Sequence, residues 1–127
     1  MVSFLERLSD PKPLVYDGGF GSQLFARGVE LTNSTLANDL HPDKVVDIHE
    51  AYIRAGSDAI GTNTFVASPL HLEMAGREGE EADKIARLGV QHARSAAEKC
   101  RKEVYVAGSI GPSPGAIEAD AGDVEFG

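Results

Sequence analysis

Three short apolar segments, evenly spaced along the chain, restrict the fold more than any other feature of this sequence. They are PLVYD (13–17), DAIGTNTF (58–65) and EVYVAGSIGP (103–112), and their apolar residues begin 45 positions apart, at Leu14, Ala59 and Val104. All three runs are continuous rather than alternating, which is typical of strands buried on both faces, as in a parallel sheet. The pattern therefore predicts three parallel strands.

Helical patterns fill the two intervals between these segments. In residues 41–56, Pro42 suits the first turn and Gly56 can end the helix. One face of this helix would carry Val45, Ile48, His49, Tyr52 and Ile53. In residues 78–102, small and apolar residues recur at helical spacing, with acids at the start and bases at the end, as the helix dipole favours. The alternation of strands and helices predicts an α/β fold with right-handed crossovers.

The end of the chain departs from this alternation. Residues 111–127, GPSPGAIEADAGDVEFG, are rich in glycine, proline and acids, and they predict a loop. Three strand–helix units cannot close a barrel, which needs eight strands and typically about 250 residues. We expect the 127 residues to be the front part of a larger α/β protein. The alternative is a small three-stranded domain with a loose end.

Composition and charge exclude several classes of function. A net charge of −8 argues against nucleic acid or an anionic membrane surface as a partner, because both would repel the chain. No apolar run approaches the roughly 20 residues that span a bilayer, and the charged N-terminal segment does not resemble a signal peptide. The single cysteine rules out an internal disulfide and favours a reducing, cytoplasmic location.

Each of the three apolar segments ends in a cluster of polar residues and glycines. The clusters are Asp17-Gly18-Gly19, Thr62-Asn63-Thr64-Phe65 and Gly108-Ser109-Ile110-Gly111-Pro112. Ligands of parallel α/β folds bind beyond the carboxyl ends of the strands, so we expect the clusters to meet at one edge. Asp17 would accept a hydrogen bond from an ammonium group, and the N–H groups of Gly18 and Gly19 would donate to a carboxylate. These properties suit a free amino acid. The alternative is that Asp17 only caps a turn that the glycines permit.

Other catalytic motifs are incomplete in this sequence. GGFGSQL lacks the last glycine of a dinucleotide fingerprint, and neither a P-loop nor a G-x-S-x-G elbow occurs. The four histidines have no metal-ligand spacing, and Ile53 stands where a zincin would need its second histidine. Cys100 lies on the alanine-rich face of its helix, which predicts a small buried hydrophobic residue. The sequence therefore predicts no catalytic residue and no metal ligand.

Three stretches taken in order resemble the N-terminal portion of the homocysteine S-methyltransferase family. They are DGGFGSQLFARG (17–28), HPDKVVDIHEAYIRAGSDAIGTNTFVAS (41–68) and VAGSIGP (106–112). The resemblance implies a (β/α)8 barrel of which residues 1–127 would form about three βα units, incomplete at the C-terminus. It implies methyl transfer to the thiol of homocysteine, forming methionine, with a zinc ion that binds the sulfur as thiolate. The methyl donor would be methylcobalamin fed by methyl-folate, betaine or S-methylmethionine.

The resemblance also assigns roles to residues of this chain. Asp17 and Gly18 would lie against the amino-acid end of homocysteine, Thr62 and Phe65 would line the same pocket, and Ser34 lies near a position that contacts substrate in some members. Gly19, Asn63, Thr64 and Ser109 would support the pocket. The family's zinc ligands are three cysteines on later strands, and none of them is in this chain. A chain that ended here would expose a sheet edge, which predicts self-association or a complementing chain.

Two further interpretations remain beside the methyltransferase. One is a binding module without catalysis, which would keep the pocket at Asp17 and self-associate through its sheet edge. The other makes Asp17 the nucleophile of a hydrolase, but a second carboxylate and a base at recognisable spacing are missing.

Overall fold

A computed structural model describes residues 2–114 of the chain, in which helices pack around a short parallel sheet. The strands are β1 (Ala59–Gly61) and β2 (Tyr105–Ala107), and the α-helices are α1 (Phe4–Leu8), α2 (Gly21–Ala26), α3 (Ala37–Leu40), α4 (Pro42–Ala55), α5 (Pro69–Met74) and α6 (Ala82–Lys99). Two single-turn 3-10 helices, Ser34–Leu36 and Gly79–Glu81, precede α3 and α6.

The two strands are parallel, with Ala59 opposite Tyr105 and Gly61 opposite Ala107. On the other side of β1, Tyr16 forms an isolated parallel bridge with Ala59. The Asp17 N–H donates to the carbonyl of Ala59 over 3.1 Å, which holds the first apolar segment along β1. The order along the sheet is thus residues 15–17, β1 and β2, and the predicted parallel α/β arrangement is confirmed for this part of the chain.

The prediction that all three segments are strands buried on both faces is wrong for the first and the third. The three residues of β2 are each half-buried, and the first segment is more exposed still. Residues 13–17 form the single bridge at Tyr16, and the side chains of Val15 and Tyr16 are 52% and 50% exposed. Within the described part of the chain β1 is the only strand that pairs with this segment, so its other edge has no strand partner there. The other two strands are also shorter than the apolar segments, since β1 ends at Gly61 and β2 at Ala107. The N–H of Thr62 still donates to the carbonyl of Ala107, but beyond it the N–H and carbonyl of Ser109 bond threonine side chains and do not extend the ladder.

Helix α4 follows its prediction closely. Pro42 lies in the first turn, and Gly56 adopts a left-handed conformation with φ 114° while its N–H donates to Ile53. The buried face consists of Val45, Ile48, His49 and Ile53. A β-carbon at position 56 would strain the backbone, so glycine ends this helix for a conformational reason.

Helix α6 begins later and ends earlier than the predicted range 78–102. Its N-terminus is preceded by a capping box, in which Glu78 and Glu81 each bind the other's backbone N–H. Cys100 follows the last turn and is half-buried, not fully buried as predicted. Its thiol donates to the carbonyl of Ala97 over 2.9 Å.

The buried residues form a core in which α4 and α6 pack against each other and against the sheet. One cluster joins Ile53 of α4, Ile60 of β1, Ala93 and Ala96 of α6 and Val104 before β2. None of the helices in the described part of the chain is both long and apolar enough to cross a membrane. Most of the predicted C-terminal loop, residues 115–127, lies outside the described residues.

Candidate functional site

A cavity of about 300 Å³ opens where residues 15–17, β1 and β2 end. Seven of the nine residues that the sequence predicts for a site line it: Asp17, Gly18, Ser34, Thr62, Asn63, Phe65 and Ser109. The other two, Gly19 and Thr64, lie next to lining residues and make hydrogen bonds that support them. The three clusters therefore lie at one edge of the sheet.

Asp17 is the one charged side chain among the residues that line this cavity. Its Oδ2 atom accepts a hydrogen bond of 2.9 Å from the N–H of Gly61, which fixes the carboxylate over the end of β1. Partial burial raises the pKa of Asp17 above its ordinary value, and the hydrogen bond from Gly61 opposes that rise. The remaining lone pairs of the carboxylate are available to a ligand that carries positive charge.

Each of the two glycines after Asp17 has a side chain close to the place that a β-carbon would take, Tyr52 beside Gly18 and Ser22 beside Gly19. Neither has a positive φ, but a β-carbon at Gly18 would lie 3.1 Å from the hydroxyl of Tyr52. That hydroxyl donates to the carbonyl of Gly19 over 2.5 Å and holds the loop. Within residues 2–114 the N–H groups of Gly18 and Gly19 have no acceptor, so both remain available to bind an anion.

The hydroxyls of Thr62 and Thr64 join the ends of β1 and β2. Thr64 Oγ1 donates to the carbonyl of Ser109 over 2.6 Å, because a carbonyl can only accept. The hydrogen bond of 2.7 Å between the two threonines must then be donated by Thr62. Thr62 Oγ1 in turn accepts from the N–H of Ser109 over 3.0 Å. The proton of Thr62 is therefore committed within the protein, and this hydroxyl can only accept a hydrogen bond from a ligand.

Asn63 and Ser34 are held by a buried amide network behind the cavity. The side-chain amide of Asn63 donates to the carbonyl of Ser34 and to Asn38 Oδ1, each over 3.0 Å. Asn38 Nδ2 returns a hydrogen bond of 2.8 Å to the carbonyl of Asn63, and His92 Nε2 donates to the carbonyl of Asn38. The hydroxyl of Ser34 has no partner among the described residues, so it can contact a ligand.

Phe65 and Phe20 provide the apolar walls of the cavity. Phe65 is 55% exposed, and its carbonyl accepts from the N–H of Gly111 over 3.1 Å. A β-carbon at Gly111 would clash with the carbonyl oxygen of Phe65 and lie 3.1 Å from its ring, so this glycine lets the loop after β2 pack against Phe65. The ring of Phe20 covers the buried His49, with 5.1 Å between the ring centroids.

Sequence reasoning missed four residues that line the cavity, which are Tyr16, Phe20, Gly21 and Gly61. Tyr16 and Phe20 flank the Asp-Gly-Gly cluster, so their proximity to Asp17 in sequence was a usable signal. Gly61 directly precedes Thr62 of the second cluster and had the same kind of signal, whereas its contact with Tyr16 depends on the bridge between the first segment and β1.

The described residues do not fit a zinc site. No group of three or more His, Cys, Asp or Glu side chains in residues 2–114 is placed to hold a metal ion. The single cysteine, Cys100, lines a different hollow between α4 and α6 together with Glu50 and Arg54. No thiolate of this chain therefore reaches the cavity at Asp17.

Comparison with known proteins agrees with this architecture. The sequence profile of the family described as homocysteine S-methyltransferase matches residues 14–125. The chain belongs to the homocysteine S-methyltransferase family. The match covers the first apolar segment from Leu14, the other two in full and every residue that lines the cavity at Asp17, and the resemblance seen in the sequence is confirmed.

Individual relatives of the homocysteine S-methyltransferase family show how much of a longer protein this chain spans. It is 36% identical over 113 residues to the methionine synthase of Mycobacterium tuberculosis, covering 78% of this chain and 9% of that protein. It is 32% identical over 115 residues to betaine–homocysteine S-methyltransferase 1 of Bos taurus, covering 87% of this chain and 28% of that protein.

A solved structure of the same family has a similar fold. The metallated form of the homocysteine methyltransferase MmuM from Escherichia coli superposes with a TM-score of 0.75 at 28% identity. The match covers 97% of this chain and 47% of that one. The chain thus spans less than half the length of each of these three relatives.

Proposed function

We propose that residues 1–127 are the N-terminal part of a (β/α)8 barrel enzyme that transfers a methyl group to the thiol of homocysteine and forms methionine. The observation that carries this proposal is the cavity at Asp17, formed at one sheet edge in a chain of the homocysteine S-methyltransferase family. In this reaction the sulfur forms a bond to the methyl carbon, the bond between that carbon and the donor breaks, and the thiol proton is released.

The cavity would bind the amino-acid end of homocysteine. Asp17 accepts from the ammonium group, and the unpartnered N–H groups of Gly18 and Gly19 donate to the carboxylate. Thr62 Oγ1 offers a further acceptor, and Phe65 packs against the methylene groups of the side chain. Holding the polar end in this way directs the sulfur away from Asp17. The described residues thus bind and orient the substrate, and they do not include a group that activates it.

Zinc, in this proposal, is bound by cysteines of the parent enzyme that this chain does not contain. The metallated form of MmuM supports a metal in the family, while the described residues hold no metal ligands. Cobalamin would be used only if the parent enzyme is of the methionine synthase type. Relatives named methionine synthase and betaine–homocysteine S-methyltransferase are both similar to this chain, so both classes of methyl donor remain candidates. A cytoplasmic location is likewise part of the proposal and rests on the single cysteine.

The edge of β2 that faces away from β1 is a candidate surface for binding another chain. Within residues 2–114, β2 pairs with β1 on one side only. The fourth strand of a barrel would pair with the other side. We propose that a chain lacking that strand self-associates or binds a complementing chain through this edge.

Two measurements test the proposal. Titration calorimetry on the 127-residue chain should detect homocysteine binding, with weaker binding of serine, which lacks the longer thiol side chain. The protein encoded by the complete reading frame should bind zinc and methylate homocysteine with one of the three donors. If the full-length protein has an intact barrel but neither binds zinc nor methylates homocysteine, the proposed methyltransferase activity is rejected.

A second candidate is a non-catalytic amino-acid-binding module. It is favoured by the fact that residues 2–114 supply the residues that line the cavity at Asp17 but no cluster of metal ligands. Homocysteine binding by the 127-residue chain, with neither zinc nor turnover in the full-length protein, would support the module over the enzyme.

A further inference from the structure

Tyr16 occupies the space that a side chain at position 61 would fill. A β-carbon built on Gly61 would lie 2.6 Å from the Tyr16 hydroxyl oxygen and 3.4 Å from Cζ of the same ring. Gly61 has no positive φ, so its backbone conformation does not require glycine. Glycine at this position is therefore explained by the Tyr16 ring that lies across it, and both residues line the cavity at Asp17.

The hydroxyl of Tyr16 is free to bind a ligand. It makes no hydrogen bond to any group within residues 2–114, and the residue is half exposed. Partial burial and the neighbouring charge of Asp17 raise the pKa of Tyr16 above its ordinary value of 10.0. The phenol is thus a neutral hydrogen-bond donor throughout the neutral pH range.

Gly61 brings this donor next to the carboxylate of Asp17. The N–H of Gly61 donates to Asp17 Oδ2 over 2.9 Å, while the side of the same residue that lacks a β-carbon faces the Tyr16 hydroxyl. The Asp17 carboxylate, a fixed acceptor, and the Tyr16 hydroxyl, an unpartnered donor, therefore both lie beside Gly61. An α-amino acid carries its ammonium and carboxylate groups on one carbon atom, so a site that binds both needs an acceptor and a donor that are adjacent.

We propose that Tyr16 is a specificity-determining residue, whose hydroxyl donates a hydrogen bond to the carboxylate of the amino acid that Asp17 binds through its ammonium group. Gly61 provides the space in which the Tyr16 ring can lie. The inference deepens the proposed function and rests on the amino-acid site described there. The Tyr16 hydroxyl adds a third donor to the N–H groups of Gly18 and Gly19. The site therefore prefers ligands with a free α-carboxylate more strongly than the two N–H groups alone would allow.

Two ligands and two variants test the inference by titration calorimetry on the 127-residue chain. The ligands are homocysteine and 3-aminopropane-1-thiol, which is homocysteine without its carboxylate. Tyr16→Phe keeps the ring and removes the hydroxyl, so homocysteine should bind about tenfold more weakly, as expected for a hydrogen bond to a charged group. The affinity for 3-aminopropane-1-thiol should not change. Gly61→Ala, which displaces the ring, should weaken homocysteine binding by a similar factor.

The outcomes separate this inference from the proposed function. If the wild type binds homocysteine and Asp17→Asn weakens that binding, but Tyr16→Phe does not, the role of Tyr16 is rejected and the proposed site stands. Equal losses for both ligands in Tyr16→Phe would also reject a contact with the carboxylate. A wild-type chain that binds no homocysteine rejects the proposed site and the inference with it. Thermal unfolding of each variant checks that it is folded before it is titrated.

Discussion

Ser109 donates its backbone N–H to Thr62 Oγ1 over 3.0 Å, and this hydrogen bond connects the residues that follow β1 and β2. The same hydroxyl donates to Thr64, which donates in turn to the carbonyl of Ser109. Both backbone groups of Ser109 are thus satisfied by threonine side chains and not by the strand ladder. These three hydrogen bonds fix the positions of Thr62 and Ser109, which both line the cavity at Asp17.

Replacing Thr62 by valine should therefore destabilise the fold. Thr62→Val keeps the shape of the side chain but leaves the Ser109 N–H without an acceptor and Thr64 without a donor. We expect the free energy of unfolding in urea to fall by about 1–3 kcal/mol, the usual cost of a buried polar group that loses its partner. Thr62→Ser, which keeps the hydroxyl, should lose less.

Thr32→Val is the matched control for this prediction. Thr32 is exposed, and its hydroxyl makes no hydrogen bond to the described residues. The same chemical change there should alter the free energy of unfolding by less than about 0.5 kcal/mol. Equal losses at positions 32 and 62 would contradict a structural role for the hydroxyl of Thr62.

Asp17→Asn should abolish most ligand binding without destabilising the ligand-free protein. Because the pKa of Asp17 is raised on folding, this carboxyl favours the folded state most below its unfolded pKa of 3.8, and that contribution is lost as the pH rises through the folded pKa. At pH 7 the ionised group therefore opposes folding. Asparagine removes the charge and still offers an oxygen to the N–H of Gly61. We expect a melting temperature at pH 7 equal to or above that of the wild type.

Calorimetry with homocysteine provides the second half of this test. Asp17→Asn should weaken binding at least tenfold, as expected for the loss of a charge-assisted hydrogen bond. Glu98→Gln makes the same change of net charge at an exposed position on α6 and should leave the affinity unchanged. Wild-type affinity should also fall as the pH is lowered toward the pKa of Asp17. A variant Asp17→Asn that melts well below the wild type and still binds homocysteine would contradict both expectations.

His49 should make the protein sensitive to mild acid. The ring is fully buried, neither nitrogen has a hydrogen-bond partner in the described part of the chain, and burial lowers its pKa to about 4, with a smaller contribution from His92. The unfolded state therefore binds a proton more readily, so stability falls as the pH decreases from about 6.5 toward 4. The loss approaches about 3 kcal/mol, since one pKa unit corresponds to about 1.4 kcal/mol.

Urea unfolding at several pH values measures this loss. His49→Leu should lose less free energy than the wild type between pH 6.5 and 4.5, because it has no buried base to protonate. At pH 7.5 it should be at least as stable, since leucine leaves no buried nitrogen unpaired. His41→Gln is the control, because the side chain of His41 makes no hydrogen bond within residues 2–114 and its loss should leave the acid sensitivity in place. Identical pH profiles for His49→Leu and the wild type would exclude His49 as the cause.

The sequence predicted the features of this fold that depend on local periodicity. Helix α4 could be placed from Pro42 to Gly56 because both ends depend on residues with fixed backbone preferences. The same pattern placed His49 on the buried face, but it could not show that both ring nitrogens lack a partner. Hydrogen-bond partners of a buried side chain come from other elements, so they depend on how those elements pack.

For the candidate site, too, the sequence predicted which elements meet but not how their side chains contact each other. Asp17 and Thr62 could be predicted to share an edge, because parallel strands end on the same side of a sheet. That Thr62 binds Ser109, and that Tyr16 lies across Gly61, depends on the register between segments 45 residues apart in the chain. Hydrophobic periodicity contains no information about that register when the strands are as short as three residues.

Gly89 and Gly21 should respond in opposite ways to the same substitution. Gly89 is buried in α6, and a β-carbon there would lie 2.6 Å from Thr64 Cγ2 and 2.8 Å from Asn38 Nδ2. Gly21 begins α2, and a β-carbon there would meet nothing within 4 Å. Alanine is the better helix former at both positions by about 0.5–1 kcal/mol. At Gly89 this gain is opposed by a clash that forces α6 away from the residues after β1.

We therefore expect Gly89→Ala to lower the free energy of unfolding by about 1–3 kcal/mol, the range for overpacking a filled core. Gly21→Ala should leave it unchanged or raise it by up to about 1 kcal/mol. Urea unfolding of the two variants side by side measures both effects under one set of conditions. Because Asn38 Nδ2 also donates to the carbonyl of Asn63, Gly89→Ala should in addition disturb the amide network behind the cavity and weaken homocysteine binding. A stabilised Gly89→Ala variant would contradict the close approach of α6 to Thr64 and Asn38.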